Sequence, residues 1–167
     1  MSEQRKPVLT GGCQCGAIRY AVYSQPDRAG ICHCRMCQKA VGGPFKPWAN
    51  VRVENFAWTR GHPETFRSSS AAERGFCPRC GTPLYFAYLK RPDSISVTVG
   101  SLDTPGAVRL TQVDGIESRL ANFDPALLAR LQARTTSEGS PPEDLSRIVN
   151  CQHPDHDTPP DWHPPAV

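Results

Sequence analysis

Seven of the eight cysteines lie in three short clusters whose spacing is typical of metal ligands. The clusters are Cys13-Gln-Cys15, Cys32-His-Cys34-Arg-Met-Cys37 and Cys77-Pro-Arg-Cys80, whereas Cys151 stands alone. Eight cysteines in 167 residues are too few for a disulfide-dense scaffold. Metal binding is therefore the favoured role for the clustered thiols.

Cys13 and Cys15 are expected to combine with Cys77 and Cys80 in a closed site of four sulfur ligands. Each close pair folds around an ion as one tight turn, so little loop entropy is lost. Gly81 can adopt the positive φ that such a turn requires. The alternatives are buried reduced cysteines or a redox Cys-x-x-Cys pair, but a redox pair is expected between a strand and a helix. The sequence thus predicts a structural zinc that clamps the roughly 60 residues between the pairs.

The middle cluster supplies three thiolates, Cys32, Cys34 and Cys37, and no obvious fourth ligand. Three protein ligands with one open position are typical of a catalytic zinc, and a soft metal favours a soft fourth ligand. A substrate thiol is therefore expected there, held deprotonated and ready to attack an electrophilic carbon. Two alternatives remain: His33 could replace one cysteine, or Cys151 could close a second four-cysteine structural site.

Short segments rich in β-branched and aromatic residues predict an antiparallel, mainly β body. Pro47 predicts that its strand is an edge strand or an irregular ribbon, and not a central strand. Helix is predicted only late, over 124–131 and 140–149, where Asp124 and Ser140 are suitable N-caps. The predicted strands are 17–22, 45–51, 56–59, 64–67, 83–88, 94–99 and 108–113.

Charge and proline content divide the chain into a basic β domain, 1–122, and an acidic extension, 123–167. The first part has sixteen basic and nine acidic residues, and the second has three basic and seven acidic residues. The extension either lies against the body or is solvated. Within it, Cys151, His153, His156 and Asp157 have the residue types of a further metal site, although Pro154 disfavours regular geometry between them. Trp162 could anchor the extension by burying its ring.

A formal net charge of +3 argues against a nucleic-acid-binding or polybasic membrane protein. No apolar run approaches the roughly 18 residues of a spanning helix, and no apolar signal core follows Met1. We therefore expect a soluble, cytoplasmic protein that contacts neither nucleic acid nor membrane.

The cysteine pattern and its surroundings resemble the glutathione-dependent formaldehyde-activating enzyme (Gfa) family, which includes centromere protein V. The resemblance extends from about Thr10 to Asp103 and is carried by three sequence segments together with Trp48 and Ser101-Leu-Asp103. The segments are Gly11-Gly-Cys-Gln-Cys-Gly-Ala-Ile-Arg-Tyr20, Cys32-His-Cys-Arg-Met-Cys-Gln-Lys39 and 66–84, which contains Cys77-Pro-Arg-Cys80-Gly81.

This resemblance implies an Mss4-like fold of several coiled β-sheets and two zinc ions per chain. It places the structural zinc on Cys13, Cys15, Cys77 and Cys80 and the catalytic zinc on Cys32, Cys34 and Cys37. The implied activity is a carbon-sulfur lyase reaction that joins formaldehyde to glutathione as S-hydroxymethylglutathione.

Two classes of function follow from these patterns. The first is a zinc enzyme that adds a small thiol to an aldehyde-like carbon or releases it. Lys46, Trp48 and Arg67 are candidate substrate-binding residues, because cationic and aromatic groups can hold the carboxylates of a peptide-like thiol. The second is a non-catalytic, zinc-stapled protein-binding module. The three-ligand cluster favours the enzyme, since a binding module needs no open metal position.

Overall fold

The computed structural model describes residues 5–123, 126, 129–130 and 149–165. The helices predicted over 124–131 and 140–149 fall almost wholly outside these residues and stay predictions. In the described residues the chain forms ten strands and an α-helix, α1 (Arg35–Val41). The strands are β1 (Leu9–Gly12), β2 (Arg19–Val22), β3 (Arg28–Cys32), β4 (Lys46–Arg52), β5 (Phe56–Arg60), β6 (Glu64–Arg67), β7 (Ala72–Phe76), β8 (Pro83–Tyr88), β9 (Ser94–Thr98) and β10 (Gln112–Asp114).

The strands form two sheets, which confirms the predicted mainly β fold. The larger sheet has seven strands in the order β10-β3-β4-β9-β8-β7-β6, and the smaller has three in the order β1-β2-β5. Every pairing is antiparallel except that of β10 with β3, which is parallel. A parallel pair needs a long crossover, and the chain between β3 and β10 builds most of the sheet.

The hydrophobic core lies where the two sheets face one another. Tyr20 of β2 is completely buried and stacks on Phe56 of β5, with ring centroids 5.4 Å apart. Trp58 of β5 contacts Tyr85 of β8 at 6.0 Å and so links the small sheet to the large one. Aliphatic side chains fill the remaining space, mainly Val22, Val51, Leu84 and Val97. Burying these rings and aliphatic groups is the main source of stability outside the cysteine clusters.

Two predictions about local structure are wrong. Helix was predicted only in the late part of the chain, but α1 begins within the second cysteine cluster. The segment is rich in good helix formers and ends at Gly42, whose φ of 64° is left-handed. The strand that contains Pro47 is not at an edge, since β4 pairs with β3 on one side and β9 on the other. Pairing with β9 begins only at Trp48, so Pro47 lies just beyond that ladder and needs no hydrogen bond from it.

The described C-terminal segment, 149–165, lies against the body, which was one of the two arrangements expected for the acidic extension. His153 donates its backbone N–H to the carbonyl of Gln14, and Asp157 pairs with Arg19 at 2.6 Å. The ring of His153 packs edge-on against Trp162, with ring centroids 4.5 Å apart. A Cβ on Gly16 would lie 2.3 Å from the His153 ring and 2.7 Å from Trp162. The two rings therefore cover the Cys13–Gly16 turn.

Replacing Trp162 with alanine should release this segment. The partly buried ring contributes apolar contact with His153 and Gly16, so we expect Trp162→Ala to lose about 1–2 kcal/mol of unfolding free energy. Urea unfolding measures the loss. His163→Ala, at an exposed neighbouring position, serves as the control and should change stability by less than about 0.5 kcal/mol. Equal effects of the two changes would contradict an anchoring role for Trp162.

Candidate functional site

The first candidate metal site joins the turn after β1 to the turn between β7 and β8. The sulfur atoms of its four cysteines all lie within 4.8 Å of one another. The Sγ atoms of Cys13 and Cys15 are 3.6 Å apart, and those of Cys15 and Cys77 are 3.8 Å apart. Cys80 completes the set. The structure thus brings together the four cysteines that the sequence groups as one site, in an arrangement that could hold a metal ion.

Backbone turns hold these sulfurs in place. Gly81 has a φ of 77° and donates its N–H to the carbonyl of Cys77 at 2.8 Å, which closes the turn that the sequence predicted there. The backbone N–H of Ile18 donates to Cys13 Sγ at 3.2 Å. Burial raises the pKa of Cys80, but hydrogen bonds from Thr82 outweigh it and lower the pKa to about 6. Such donors stabilise thiolates, the form that binds metal.

The donor set fits zinc. Burial raises the pKa of Cys13 far above its ordinary value, because without a cation a buried thiolate is unfavourable. Cys77 is completely buried and all eight cysteines are free thiols. Four cysteine sulfurs that face one another are the usual ligands of a structural zinc. This site also ties the small sheet to the end of the large one.

The second candidate metal site lies where β3 turns into α1. Cys32 ends the strand, Cys34 is the N-cap residue of the helix, and Cys37 lies within its first turn. Their three sulfurs also lie within 4.8 Å of one another. The strand–helix junction therefore gathers the three thiols by a sharp change of direction of the chain.

Neither alternative fourth ligand belongs to this group. His33 is buried, and its ring packs against Phe45 at 5.5 Å. Cys151 lies in the C-terminal segment, where its nearest described acceptor is the carbonyl of Pro165 at 3.7 Å. Among the residues that the structure describes, the group that could hold a metal here consists of three cysteines.

The three sulfurs line a cavity of about 380 Å³. Lys46 and Trp48, two of the predicted substrate-binding residues, line it as well, whereas Arg67 on the exposed strand β6 does not. The cavity is also lined by Arg28, Asn50, Ser68, Ser69, Arg74, Phe86, Tyr88, Arg91, Ser94, Ser96, Gln112 and Asp114. A roomy, mostly preformed cavity beside an incomplete ligand set is where a small molecule could reach the metal position.

Arg74 is a residue of the cavity that the sequence analysis missed. Its Nη2 donates to Cys37 Sγ at 3.5 Å, and its guanidinium lies 5.0 Å from the ring centroid of Phe86. Lys46 Nζ lies 5.7 Å from the same ring. Burial, followed by the charge of Arg74, lowers the pKa of Lys46 to about 8. The sequence signal near Arg74 is its position three residues before Cys77, whereas its inward direction follows from its place on β7 in the structure.

The cysteines of the second site respond to this environment in opposite directions. Burial and the neighbouring thiols raise the pKa of Cys32 to about 12. Burial also raises the pKa of Cys34, but the backbone N–H of Cys37, the neighbouring thiols and Arg74 outweigh it and lower the pKa overall. Cys34 is therefore more readily ionised than Cys32 before a metal arrives.

The residue types of a further metal site around Cys151 and His153 do not come together as a metal-binding group within the described part of the chain. His153 Nε2 instead contacts Thr158 Oγ1 at 2.8 Å, and its Nδ1 lies 2.6 Å from the carbonyl oxygen of Pro154. Both ring nitrogens are thus occupied by the C-terminal segment itself. Within the described ranges, the structure also contains no helix long and apolar enough to span a bilayer.

A model of the glutathione-dependent formaldehyde-activating enzyme family matches residues 8–113, which include both cysteine sites. The chain belongs to this family. The Gfa match ends before the C-terminal segment, so the contacts of 149–165 with the first site lie outside the part that the family shares.

Two relatives of this Gfa-family chain carry informative descriptions. An uncharacterised lyase of Schizosaccharomyces pombe is 34% identical over 82 residues, which cover 49% of this chain and 59% of the relative. A putative glutathione-dependent formaldehyde-activating enzyme of Halomonas elongata is 28% identical over 108 residues, covering 58% of this chain and 67% of the relative. The chain thus spans about three fifths to two thirds of these relatives. A crystal structure of a Rhodobacter sphaeroides protein has 20% identity and a TM-score of 0.46, covering 73% of this chain and 96% of its own.

Proposed function

We propose that this protein is a zinc-dependent carbon-sulfur lyase that joins a small thiol to formaldehyde or a similar aldehyde and catalyses the reverse release. The observation that carries the proposal is the three-cysteine group opening into the 380 Å³ cavity. A ligand set short of one member, beside space for a small molecule, is typical of a catalytic zinc. Family membership and the descriptions of the two relatives support the same class of reaction.

Two zinc ions would have different tasks. Cys13, Cys15, Cys77 and Cys80 would hold a structural zinc, because four cysteine sulfurs complete a tetrahedral ligand set and leave no position for substrate. Cys32, Cys34 and Cys37 would hold the second ion at the cavity. Zinc in that position would supply a site that keeps the substrate sulfur in its nucleophilic thiolate form at neutral pH.

The residues around the cavity would then bind and orient the two reactants. Trp48 and Phe86 offer apolar surface, and Lys46 and Arg74 supply positive charge. In the forward direction the thiol gives up its proton, its sulfur forms a bond to the carbonyl carbon, and the π electrons move to oxygen. That oxygen takes up one proton, which balances the one lost by the thiol, and formaldehyde gives a hydroxymethyl thioether. The reverse reaction breaks the carbon-sulfur bond and restores thiol and aldehyde, so no redox partner is needed.

Glutathione is the thiol that the family name and the charge of the cavity support. Its two carboxylates would find positive charge along the cavity wall, where Arg28 and Arg91 are exposed and Lys46 is buried. Arg67 lies outside this lining, so its part in substrate binding rests on the sequence prediction alone. A cytoplasmic location would supply such a thiol in its reduced form.

Exchange spectroscopy by NMR tests the proposal, because thiol, aldehyde and adduct interconvert at equilibrium. We expect the zinc-loaded protein to accelerate exchange between glutathione and formaldehyde. Cys34→Ser should lower this acceleration roughly a hundredfold or more, since it removes a metal ligand. Cys151→Ser, at a cysteine outside both groups, is the matched control and should retain activity. A zinc-loaded protein that accelerates exchange for neither glutathione, cysteine nor coenzyme A would favour the non-catalytic binding module.

A further inference from the structure

Arg74 is a buried cation beside the three-cysteine group, and no carboxylate neutralises it within the described structure. It is 9% exposed, and none of the ion pairs formed by described residues includes it. Its Nε is buried without a hydrogen-bond partner among those residues. Its hydrogen bond runs from Nη2 to Cys37 Sγ. Because buried charges are stable only when paired or hydrogen-bonded, the thiolates of a metal-loaded cysteine group would supply its counter-charge.

Packing fixes the guanidinium in this position. Arg74 lies on β7, which is paired on both sides, and its register partner on β8 is Phe86. The guanidinium lies over the ring of Phe86, and Lys46, which is 3% exposed, places its ammonium group near the same ring. Two buried cations therefore lie near one aromatic ring at the wall of the cavity, and each is within the range of a cation–π interaction.

The charges of the proposed centre explain what such cations would do. Three thiolates around a divalent zinc leave one net negative charge, which repels an incoming thiolate. The permanent charge of Arg74 offsets it, since a guanidinium stays protonated inside proteins. Lys46 adds positive charge on the same side of the cavity. The fourth ligand position then lies in an environment that attracts an anion.

We propose that Arg74 is a positioning residue that, through Cys37, enables the three-cysteine centre to take an anionic thiolate as its fourth ligand. The inference rests on the proposed function, since it concerns the same centre. In this role Arg74 favours a negatively charged fourth ligand at the metal position. The role is distinct from binding a carboxylate elsewhere on the substrate.

The test uses the full chain loaded with Co²⁺, whose thiolate charge-transfer absorption reports a fourth sulfur ligand. Two thiols are titrated, neutral 2-mercaptoethanol and mercaptoacetate, which carries a carboxylate. Removing the charge in Arg74→Gln or Arg74→Met should lower the affinity for both thiols by about tenfold or more, because a unit charge acts strongly over a few ångströms in a partly buried site. Arg74→Lys keeps the charge and should retain most of the affinity.

The affinity for Co²⁺ separates this role from structural support. A cation beside the ligands opposes a divalent ion, so the charge-removing variants should bind Co²⁺ as tightly as the wild type or more tightly, measured by competition with a chelator. Arg109→Gln is the matched control, since Arg109 is an exposed arginine outside the lining of the cavity. It should change the affinity for either thiol by no more than roughly twofold.

Each other outcome overturns the inference. Loss of mercaptoacetate binding alone would make Arg74 a carboxylate-binding residue, and parallel loss of Co²⁺ and thiol affinity would make it a structural residue. Unchanged thiol affinity in the variants would refute the inference while leaving the proposed function intact. A wild-type protein that binds neither thiol would overturn the proposed function and the inference with it. If Arg74→Met does not fold, Arg74→Gln and Arg74→Lys provide the same comparison.

Discussion

Cys77→Ser is expected to leave the protein unfolded or insoluble. Cys77 is completely buried, and its sulfur belongs to the four-cysteine site that ties β7 and β8 to the turn after β1. A structural zinc contributes on the order of 10 kcal/mol to folding, whereas a whole domain has only about 5–15 kcal/mol of net stability. Losing this ion should therefore remove most or all of the stability.

Cys34→Ser provides the contrast, because its sulfur belongs to the three-cysteine site at the cavity. The first site and the strands that it joins should persist, so this variant should stay folded with one zinc ion in place of two. Thermal unfolding, zinc content and solubility are measured side by side on both variants, with Cys151→Ser as control. Unfolding of Cys34→Ser as readily as Cys77→Ser would show that the second site is structural. A soluble, active Cys77→Ser would show that the two roles are reversed.

Asp103→Asn should have the second largest effect, a loss of about 3–5 kcal/mol of unfolding free energy. Arg19 is 3% exposed and donates to Asp103 through both terminal nitrogens, at 2.7 Å from Nη1. Burial raises the pKa of Asp103, but the guanidinium of Arg19 and the hydroxyl of Thr10 outweigh it and hold the pKa below its ordinary value. Neutralising the carboxylate would leave the buried guanidinium with the more exposed Asp157 as its one remaining charge partner among the residues that the structure describes.

An exposed pair in the same molecule is the matched control. Arg52 and Asp93 are 2.7 Å apart, but their side chains are 52% and 62% exposed. Asp93→Asn should therefore lose less than about 1 kcal/mol, since water screens surface ion pairs. Urea unfolding at neutral pH measures both variants. Equal losses for the two substitutions would contradict the view that burial makes the Arg19–Asp103 pair important.

The cysteine pairs and most strands could be predicted because their signals are local. Close pairs of cysteines leave few chemical roles in a reduced chain, and segments such as Glu64–Arg67 and Pro83–Tyr88 combine β-forming residues with flanking turns. Both of those strands have the predicted bounds. The family resemblance, which extends from about Thr10 to Asp103, agrees with the family match over residues 8–113.

What could not be predicted depends on contacts between distant segments. β7 has the sequence Ala-Glu-Arg-Gly-Phe, which has few β-forming residues, and it is a strand because β6 and β8 pair with it. Since that strand was not predicted, neither was the inward position of Arg74. The sequence does not predict the helix α1, because the spacing of Cys34 and Cys37 is that of two close metal ligands as well as that of one helical turn. The contact of His153 with Gly16 joins residues far apart in sequence.

The central claim, that an external thiol completes the three-cysteine zinc centre, is tested most directly by zinc X-ray absorption spectroscopy on the wild-type protein. Fully loaded protein without thiol should show an average sulfur coordination between three and four, because one ion has four cysteine ligands and the other has three. Adding glutathione should raise this average to four, with zinc–sulfur distances of about 2.3 Å. An average that stays the same with glutathione, cysteine and 2-mercaptoethanol alike, or that already equals four without them, would contradict the account.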